Sequence, residues 1–443
     1  MDKQSRSFVK RRRFLKATGA TVGVGMIAGC SSGGGNNNGS SSGGNGGGSS
    51  SSGGTTTGGS SSSGAKLKGS INVAGLLPLS GIYAQYGPLY RKGMNLAFEE
   101  YNNGDGVLGK KMNLLVADNA DSGQKTVTHF RQFVQNKKAV AAVGPGGLAP
   151  TVQAAHFAEK NEVPIYTLAG IFPMFVNGDK TRYVFRPPVQ GMRNWVRPQG
   201  SMAKENGYTN IGTIYQNGTL KSVFSQALKD FMPEGATVHS QSAPPTETNF
   251  STYLRKMPKD LTMFVGTAHP AGAPKIYPQM YHLGFDPKRF TAGISPAQPT
   301  YKNVGKIVGR TFSPFTQVDI TGDAYASVGK KYAAKYNAFF DTTAADGYVT
   351  AKLIAESIKK AGSADPTDIA NASRNIKLDT LYVEPLQFTK WGTPDNAAVI
   401  FLGYDVNSSP SFYPKLPFKL TSVYKSDPMP GQTTKEMSKG AKG

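Results

Sequence analysis

One cysteine in 443 residues leaves no partner for an internal disulfide and removes thiolate-ligated metal centres from consideration. Histidine is almost as scarce: His129, His156, His239, His269 and His282 are scattered, and no two stand at metal-ligand spacing. A metal site is therefore not expected. No phosphate-binding loop, dinucleotide fingerprint or Gly-x-Ser-x-Gly elbow occurs; the nearest approach, Gly144-Pro145-Gly146-Gly147, lacks a third glycine and a later acidic partner. With no nucleophile, base and orienting group in view, an enzyme is disfavoured and no cofactor is implied. Asp118 and Asp121 follow a β-rich run and fit helix capping around Ser122 better than acid–base work. Acidic residues are few, 28 against 50 Lys and Arg, for a formal charge of +22. Seven Lys and Arg against Asp2 in the first 30 residues supply part of that excess. Elsewhere, pairs such as Lys110-Lys111, Lys137-Lys138 and Lys330-Lys331 fit solvated helix faces or turns. No dense basic block or nucleic-acid motif follows, so a nucleic-acid partner is not expected, while attraction to an anionic surface stays open.

A long apolar run is also missing. The stretch after Arg11-Arg12-Arg13-Phe14-Leu15-Lys16 offers about 13 weakly apolar residues, short of the ~20 needed to span a bilayer. It ends at Ile27-Ala28-Gly29-Cys30. The arginines resemble a twin-arginine (Tat) export signal, and small residues before a cysteine resemble a lipobox. Residues 1–30 thus read as a lipoprotein signal with Cys30 as the lipid attachment site, anchoring the chain to the outer face of the cell membrane. Residues 31–65 are almost wholly Ser, Gly, Asn and Thr, and bury too little to offset chain entropy, which makes them a flexible linker. Residues 425–443, rich in Lys, Gly, Pro and Thr, read as a disordered tail by the same reasoning. About 360 residues remain, enough for two ordinary domains.

From residue 70 onward short β-rich runs alternate with helical ones. Residues 71–74 read as a strand, and Tyr90, Met94, Ala97, Phe98 and Tyr101 then recur on one helical face. Strands over 112–117, 140–143 and 164–167 alternate with helices over 126–135 and 150–159, a pattern that demands a parallel sheet covered on both faces. A second series spans 194–293, with strands at 211–215, near 238, at 263–266 and at 290–293, and helices at 194–206, 223–231, 250–257 and 275–283. Helices over 325–340 and 344–361 have no strands beside them in sequence, so an earlier lobe must supply their core. Two last strands, 386–388 and 399–402, flank a turn at Trp391-Gly392-Thr393-Pro394. The fold class is α/β with two lobes. Loops at the carboxyl ends of the strands, such as Leu168-Ala169-Gly170 and Gly266-Thr267-Ala268, are short and uncharged, which suits a small ligand approaching backbone N–H groups.

The run Leu79-Ser80-Gly81-Ile82-Tyr83-Ala84-Gln85-Tyr86-Gly87, then Gly93-Met94-Asn95-Leu96-Ala97, Gly106-Val107-Leu108-Gly109-Lys110-Lys111 and Asp118, closely resembles the opening of the leucine/isoleucine/valine-binding protein family. These are extracytoplasmic solute receptors of ABC importers. The resemblance implies a type I periplasmic-binding-protein fold with three hinge crossings, one lobe of residues 66–186 and 316–380, the other of 187–315 and 381–424. It implies a solute held between the lobes, and ABC permease and ATPase subunits as partners. By the same likeness Tyr86 lines the cleft, and Leu148, Ile171, Leu220 and Ile294 stand where the family carries polar anchors for an amino acid. Ala149, Ala169, Gly170 and Thr267 are neighbouring candidates for ligand contact. A shift of one or two residues would bring Thr151, Thr167, Thr219 or Ser295 into those roles instead. Apolar anchors suit an amide, urea or aromatic compound better than a free α-amino acid. A sensor that reports its ligand without transport is the alternative function.

Overall fold

The computed structural model describes residues 67–168, 181–188, 191–218, 220–267, 272–437 and 439–440; the signal, Cys30 and the linker lie outside them. The first series comprises β1 (Ser70–Leu77), α1 (Gly87–Asn102), β2 (Lys111–Asp118), α2 (Gly123–Lys137), β3 (Ala139–Val143), α3 (Leu148–Asn161), β4 (Ile165–Tyr166) and β5 (Val184–Phe185). Its strands form one parallel sheet in the order β2-β1-β3-β4-β5. β1 is buried along nearly its whole length, the signature of a central parallel strand covered on both faces.

The second series runs α4 (Met192–Glu205), β6 (Asn210–Gln216), α5 (Leu220–Phe231), β7 (Thr237–Ala243), α6 (Ser251–Leu254), β8 (Met263–Thr267), α7 (Ala273–His282), β9 (Arg289–Ala292), α8 (Ala297–Val304), α9 (Val308–Thr311) and β10 (Phe312–Thr316). Then come α10 (Asp323–Tyr336), α11 (Thr342–Ala361), α12 (Pro366–Arg374), β11 (Ile400–Asp405), β12 (Lys419–Lys425) and α13 (Thr434–Met437). The second sheet has the order β12-β11-β10-β9-β8-β6-β7, with β11 and β12 antiparallel at one edge.

The helices without nearby strands find their core in the first lobe. Tyr325, Tyr332 and Phe340, with the α11 residues Ala344, Tyr348, Val349, Leu353 and Ile354, pack among the side chains of β1, β3 and α1. α11 begins at Asp341, whose carboxylate accepts from Thr343 N, and stops at Gly362, which takes the left-handed φ of +63° that ends helices cheaply. Against α1 it packs backbone to backbone. A Cβ at Gly93 would stand 1.9 Å from the Ala344 carbonyl oxygen, and one at Gly347 2.4 Å from that of Tyr90.

Three expectations need correction. Leu381, Tyr382, Leu386 and Phe388 join the first core, although residues from 381 on were assigned to the second lobe. The run 386–388 does not pair with 399–402; Leu386 exchanges backbone hydrogen bonds with Leu378, and β11 takes β10 and β12 as neighbours. The segment after Tyr424 is packed rather than loose. Ser426, Met429, Gln432 and Met437 are buried, Met429 pairs with Ala397, and Lys439 meets Asp230 at 3.0 Å. Composition misleads there because β12 delivers the segment onto a surface that buries Met429 and Met437.

Chain crossings near 186–191, 316–319 and 388–399 join the lobes. Val318 and Tyr382 bridge antiparallel, with Val383 N donating to Gln317 O and Asp319 N to Leu381 O, so two stretches beside the hinge form a short ribbon. The 406–418 loop of the second lobe adds a side-chain junction. Phe412 stacks on Phe339 at 5.8 Å and meets Tyr325 edge-on, while Tyr413 Oη donates to Asn337 O and Lys415 Nζ to Asn337 Oδ1.

Gly93→Ala and Gly347→Ala are expected to lower stability by about 1–3 kcal/mol each through overpacking. Gly104→Ala, whose nearest neighbour would be 3.7 Å away, should be close to neutral. Denaturant midpoints of the three variants check this.

Candidate ligand-binding site

In open α/β sheets ligands settle beyond the carboxyl ends of the strands where the strand order reverses. In the first lobe that point lies between β1 and β3, which brings the loops 78–86 and 144–147 together. The corresponding point in the second lobe lies between β6 and β8, at the loops after Gln216 and Thr267. The loop after β1 is held by Asp118, which accepts from Leu79 N, Ser80 N, Ser80 Oγ and Ala120 N. Burial pushes this carboxyl up, but those donors together outweigh it and leave the group below its usual range. Its contribution to stability is thus present above the unfolded carboxyl value and fades as pH falls through the folded one. Asp118 therefore clamps a loop and does not cap α2; Ser122 caps α2 through Lys125 N. Asp121 caps nothing either. It sits at φ +55°, and its buried Oδ1 has no hydrogen-bond partner. A Cβ at Gly147, the residue before α3, would stand 1.9 Å from that oxygen.

Tyr86 and Ile294 are brought together from opposite lobes. Tyr86 is buried, its Oη donates to the Ile294 carbonyl at 2.9 Å, and Ile294 packs against the cores of both lobes. A second interlobe bond runs from Ala297 N, at the start of α8, to Asp341 Oδ2 at 2.6 Å. Leu148 opens α3 half-buried, and Ala149 beside it is exposed. Leu220 opens α5 and Thr267 closes β8, so both stand at the carboxyl ends of second-lobe strands. Ala169, Gly170 and Ile171 lie outside the described residues.

Of the four hydroxyl residues that could take over from those anchors, Thr219 lies outside the described residues and the other three donate to the main chain. Thr151 Oγ1 bonds the Gly147 carbonyl, one turn back along α3. Thr167 Oγ1 bonds Phe185 O at 3.3 Å, and Ser295 Oγ bonds Gly293 O at 3.2 Å. Each keeps lone pairs but no proton for a carboxylate.

Periodicity did not reveal the acids behind Tyr86. Asp341 and Asp346 are both buried at the start of α11, near Tyr90 of α1 and Tyr382 beside the hinge. Tyr382 Oη donates to Asp346 Oδ1 at 3.0 Å, Asp346 Oδ2 has no partner, and Tyr90 Oη reaches Leu168 O at 3.5 Å. Desolvation drives the Asp346 carboxyl well above its usual range. Two aspartates five apart within Asp341-Thr342-Thr343-Ala344-Ala345-Asp346, inside an otherwise apolar run, were the available signal. Separately, a groove of about 450 Å³ lies between Gln85 and second-lobe residues including Pro274, Lys275, His282 and Asn303; none of the sequence-predicted site residues lines it. Among the described residues no cluster of His, Cys, Asp and Glu is arranged to hold a metal ion.

The chain matches the periplasmic binding protein family over residues 70–402. It is 23% identical over 330 residues to Leu/Ile/Val-binding protein homolog 8 of Brucella abortus, covering 70% of this chain and 81% of that protein. The solved structure of a leucine binding protein, LivK, from Thermotoga maritima superposes with a TM-score of 0.69 at 19% identity, covering 81% of this chain and 99% of that one. An ABC transporter solute binding protein from R. palustris, in complex with benzoate, gives a TM-score of 0.66 at 16% identity, covering 82% and 98%. These likenesses share the two-lobed type I architecture described above.

Replacing Tyr86 by Phe removes one interlobe hydrogen bond and little volume. The closed form should lose about 0.5–1.5 kcal/mol, seen as faster amide exchange over residues 79–86 and at Ile294, with the global unfolding midpoint nearly unchanged.

Proposed function

The chain belongs to the periplasmic binding protein family, and from that footing we propose that it is a lipid-anchored extracytoplasmic receptor that captures a small organic solute between its lobes and hands it to an ABC-type importer. The observation that carries this reading is the meeting of Tyr86 and Ile294, which stand beyond the carboxyl ends of strands in two different sheets. Such a meeting supports a capture site between the lobes, and the chain crossings support one that opens and closes. The work of such a receptor is binding rather than catalysis.

Anchoring rests on Cys30 and the uncharged residues behind it. A lipid at Cys30 would keep the receptor close to its permease and raise the local concentration of loaded protein. No helix among the described residues is long and apolar enough to cross a membrane. Cys30→Ser should release the protein from membranes, and the intact mass of the native protein should show loss of residues 1–29 plus acyl chains. Membrane-bound Cys30→Ser protein would exclude the anchor.

The solute is not an ordinary zwitterionic α-amino acid. Leu148 and Ile294 stand at anchor positions, and Thr151, Thr167 and Ser295 already donate to carbonyls. Burying an uncompensated ion costs several kcal/mol, whereas enclosing a branched side chain returns about 1.5–3 kcal/mol. The desolvation cost is the larger. Calorimetry against the standard amino acids and a set of amides and amines should show leucine, isoleucine and valine binding no tighter than millimolar. A binding solute should also reduce the radius of gyration in small-angle scattering; micromolar leucine binding would refute the ligand reading.

A further inference from the structure

The formal charge of the chain is +22, yet among the described residues the titratable groups that interact behind the Tyr86–Ile294 contact are acids and phenols. Tyr86 and Tyr90 come from α1, Asp341 and Asp346 from the start of α11, and Tyr382 from the segment beside the hinge. Among the described residues no Lys or Arg makes an ion pair with either aspartate, and the salt bridges all lie elsewhere.

The two acids are not equivalent. Asp341 is satisfied by the chain itself, because Oδ1 accepts from Thr343 N and Oδ2 from Ala297 N. Asp346 is 1% exposed, accepts only Tyr382 Oη on Oδ1, and leaves Oδ2 with no donor. Buried polar atoms are nearly always hydrogen-bonded, so a carboxylate oxygen buried without a donor, as Asp346 Oδ2 is and Asp121 Oδ1 also is, has room in its chemistry for a donor from a ligand. A cap or a turn does not account for it: Asp346 lies past the first turn of α11, where the backbone N–H groups are already bonded within the helix. The place is also where a ligand would arrive. Tyr90 contacts Leu168, the last described residue before the loop of the fourth strand, and Tyr382 belongs to the ribbon beside the hinge.

We propose that Asp346 is a specificity-determining residue of the cleft, whose Oδ2 accepts from a cationic nitrogen of the solute, so that the preferred ligands are amines or amidines rather than carboxylates. This rests on the solute-receptor reading above and gives it a charge. The phenols support a cation in a second way, since Tyr86, Tyr90 and Tyr382 already donate their hydroxyl protons to Ile294 O, Leu168 O and Asp346 Oδ1 and have only lone pairs left to offer. It also predicts a proton change. Desolvation favours the neutral carboxyl in the empty site, and a bound cation favours the carboxylate, so binding releases a proton and tightens as pH rises. The groups facing Asp346 are Asp341, Tyr90 and Tyr382; the phenols are held above their ordinary range by burial and do not titrate in the same window.

The test uses the purified protein and one ring with four headgroups: benzylamine, benzamidine, benzamide and benzoate. Calorimetry should show benzylamine or benzamidine binding at least about tenfold more tightly than benzoate, with proton release seen by comparing buffers of different ionisation enthalpy. Asp346→Asn keeps the shape and should lose about tenfold or more for the cations, abolish the proton release and leave benzamide nearly unchanged. Thermal melting of the variant checks that it folds; Tyr382→Phe, which frees Oδ1 without touching the charge, should keep the cation preference. Benzoate binding as tightly as the cations, or cation affinity and proton release unchanged in Asp346→Asn, overturns the role of Asp346 while leaving the solute-receptor reading standing. Failure of all four to bind or to compact the protein overturns the inference, and the receptor reading falls only if a wider panel of solutes also fails to compact it.

Discussion

The contact on which the rest of the first lobe depends is the crossing of α1 and α11 at Gly93 and Gly347, where two helix backbones touch with no side chain between them. Each helix brings a different part of the site. α1 follows Tyr86 and carries Tyr90, and α11 starts at Asp341 and carries Asp346. Because a Cβ at either glycine would overlap a carbonyl oxygen of the other helix, their separation is set by backbone contact rather than by deformable side chains. The phenols and the carboxyls are thereby held at a fixed distance. Farther along, Tyr348 Oη donates to Glu100 and Tyr101 Oη to Glu356 between the same two helices, while Lys331 of α10 pairs with Glu100 at the surface. Exposed pairs of that kind contribute little by themselves and follow from the crossing rather than causing it.

Much of this could be read from the order of residues. Alternation of β-rich and helical runs was enough for two parallel sheets, because β1, β3, β6 and β8 are apolar on both faces and the helices between them are not. The helices after residue 320 could be assigned to an earlier lobe on the argument that their apolar faces needed a partner. Three-dimensional matching was beyond such reasoning. The family resemblance puts Tyr382 at the start of the second lobe's last segment, but its neighbours are Val318 and Asp346, which are 64 and 36 residues away. The packed segment after β12 was invisible for a related reason: composition measures how much apolar surface a stretch has, and not whether a complementary surface waits for it.

The candidate site divides along the same line. Tyr86 and Ile294 enter as candidates through the family resemblance alone, on the run 79–87 and on the loop after the strand at 290–293. Whether Thr151, Thr167 or Ser295 could serve as anchors could not be read, since each is defined by where its hydroxyl proton points. Likewise, Asp118 and Asp121 look alike in sequence, three residues apart, yet one is surrounded by backbone donors and the other has a buried oxygen with none. Charge in a folded chain is a matter of neighbours.

The 406–418 loop has a kinetic consequence. Its Phe412, Tyr413 and Lys415 bind the first lobe at Phe339 and Asn337, away from the chain crossings, so separation of the lobes cannot be a free swing about the hinge. Any opening has to tear this junction, bend the loop with it, or pivot about it, and a pivot turns a swing into a twist. Movement between the lobes is thereby coupled to one aromatic stack and two hydrogen bonds that lie outside the chain crossings.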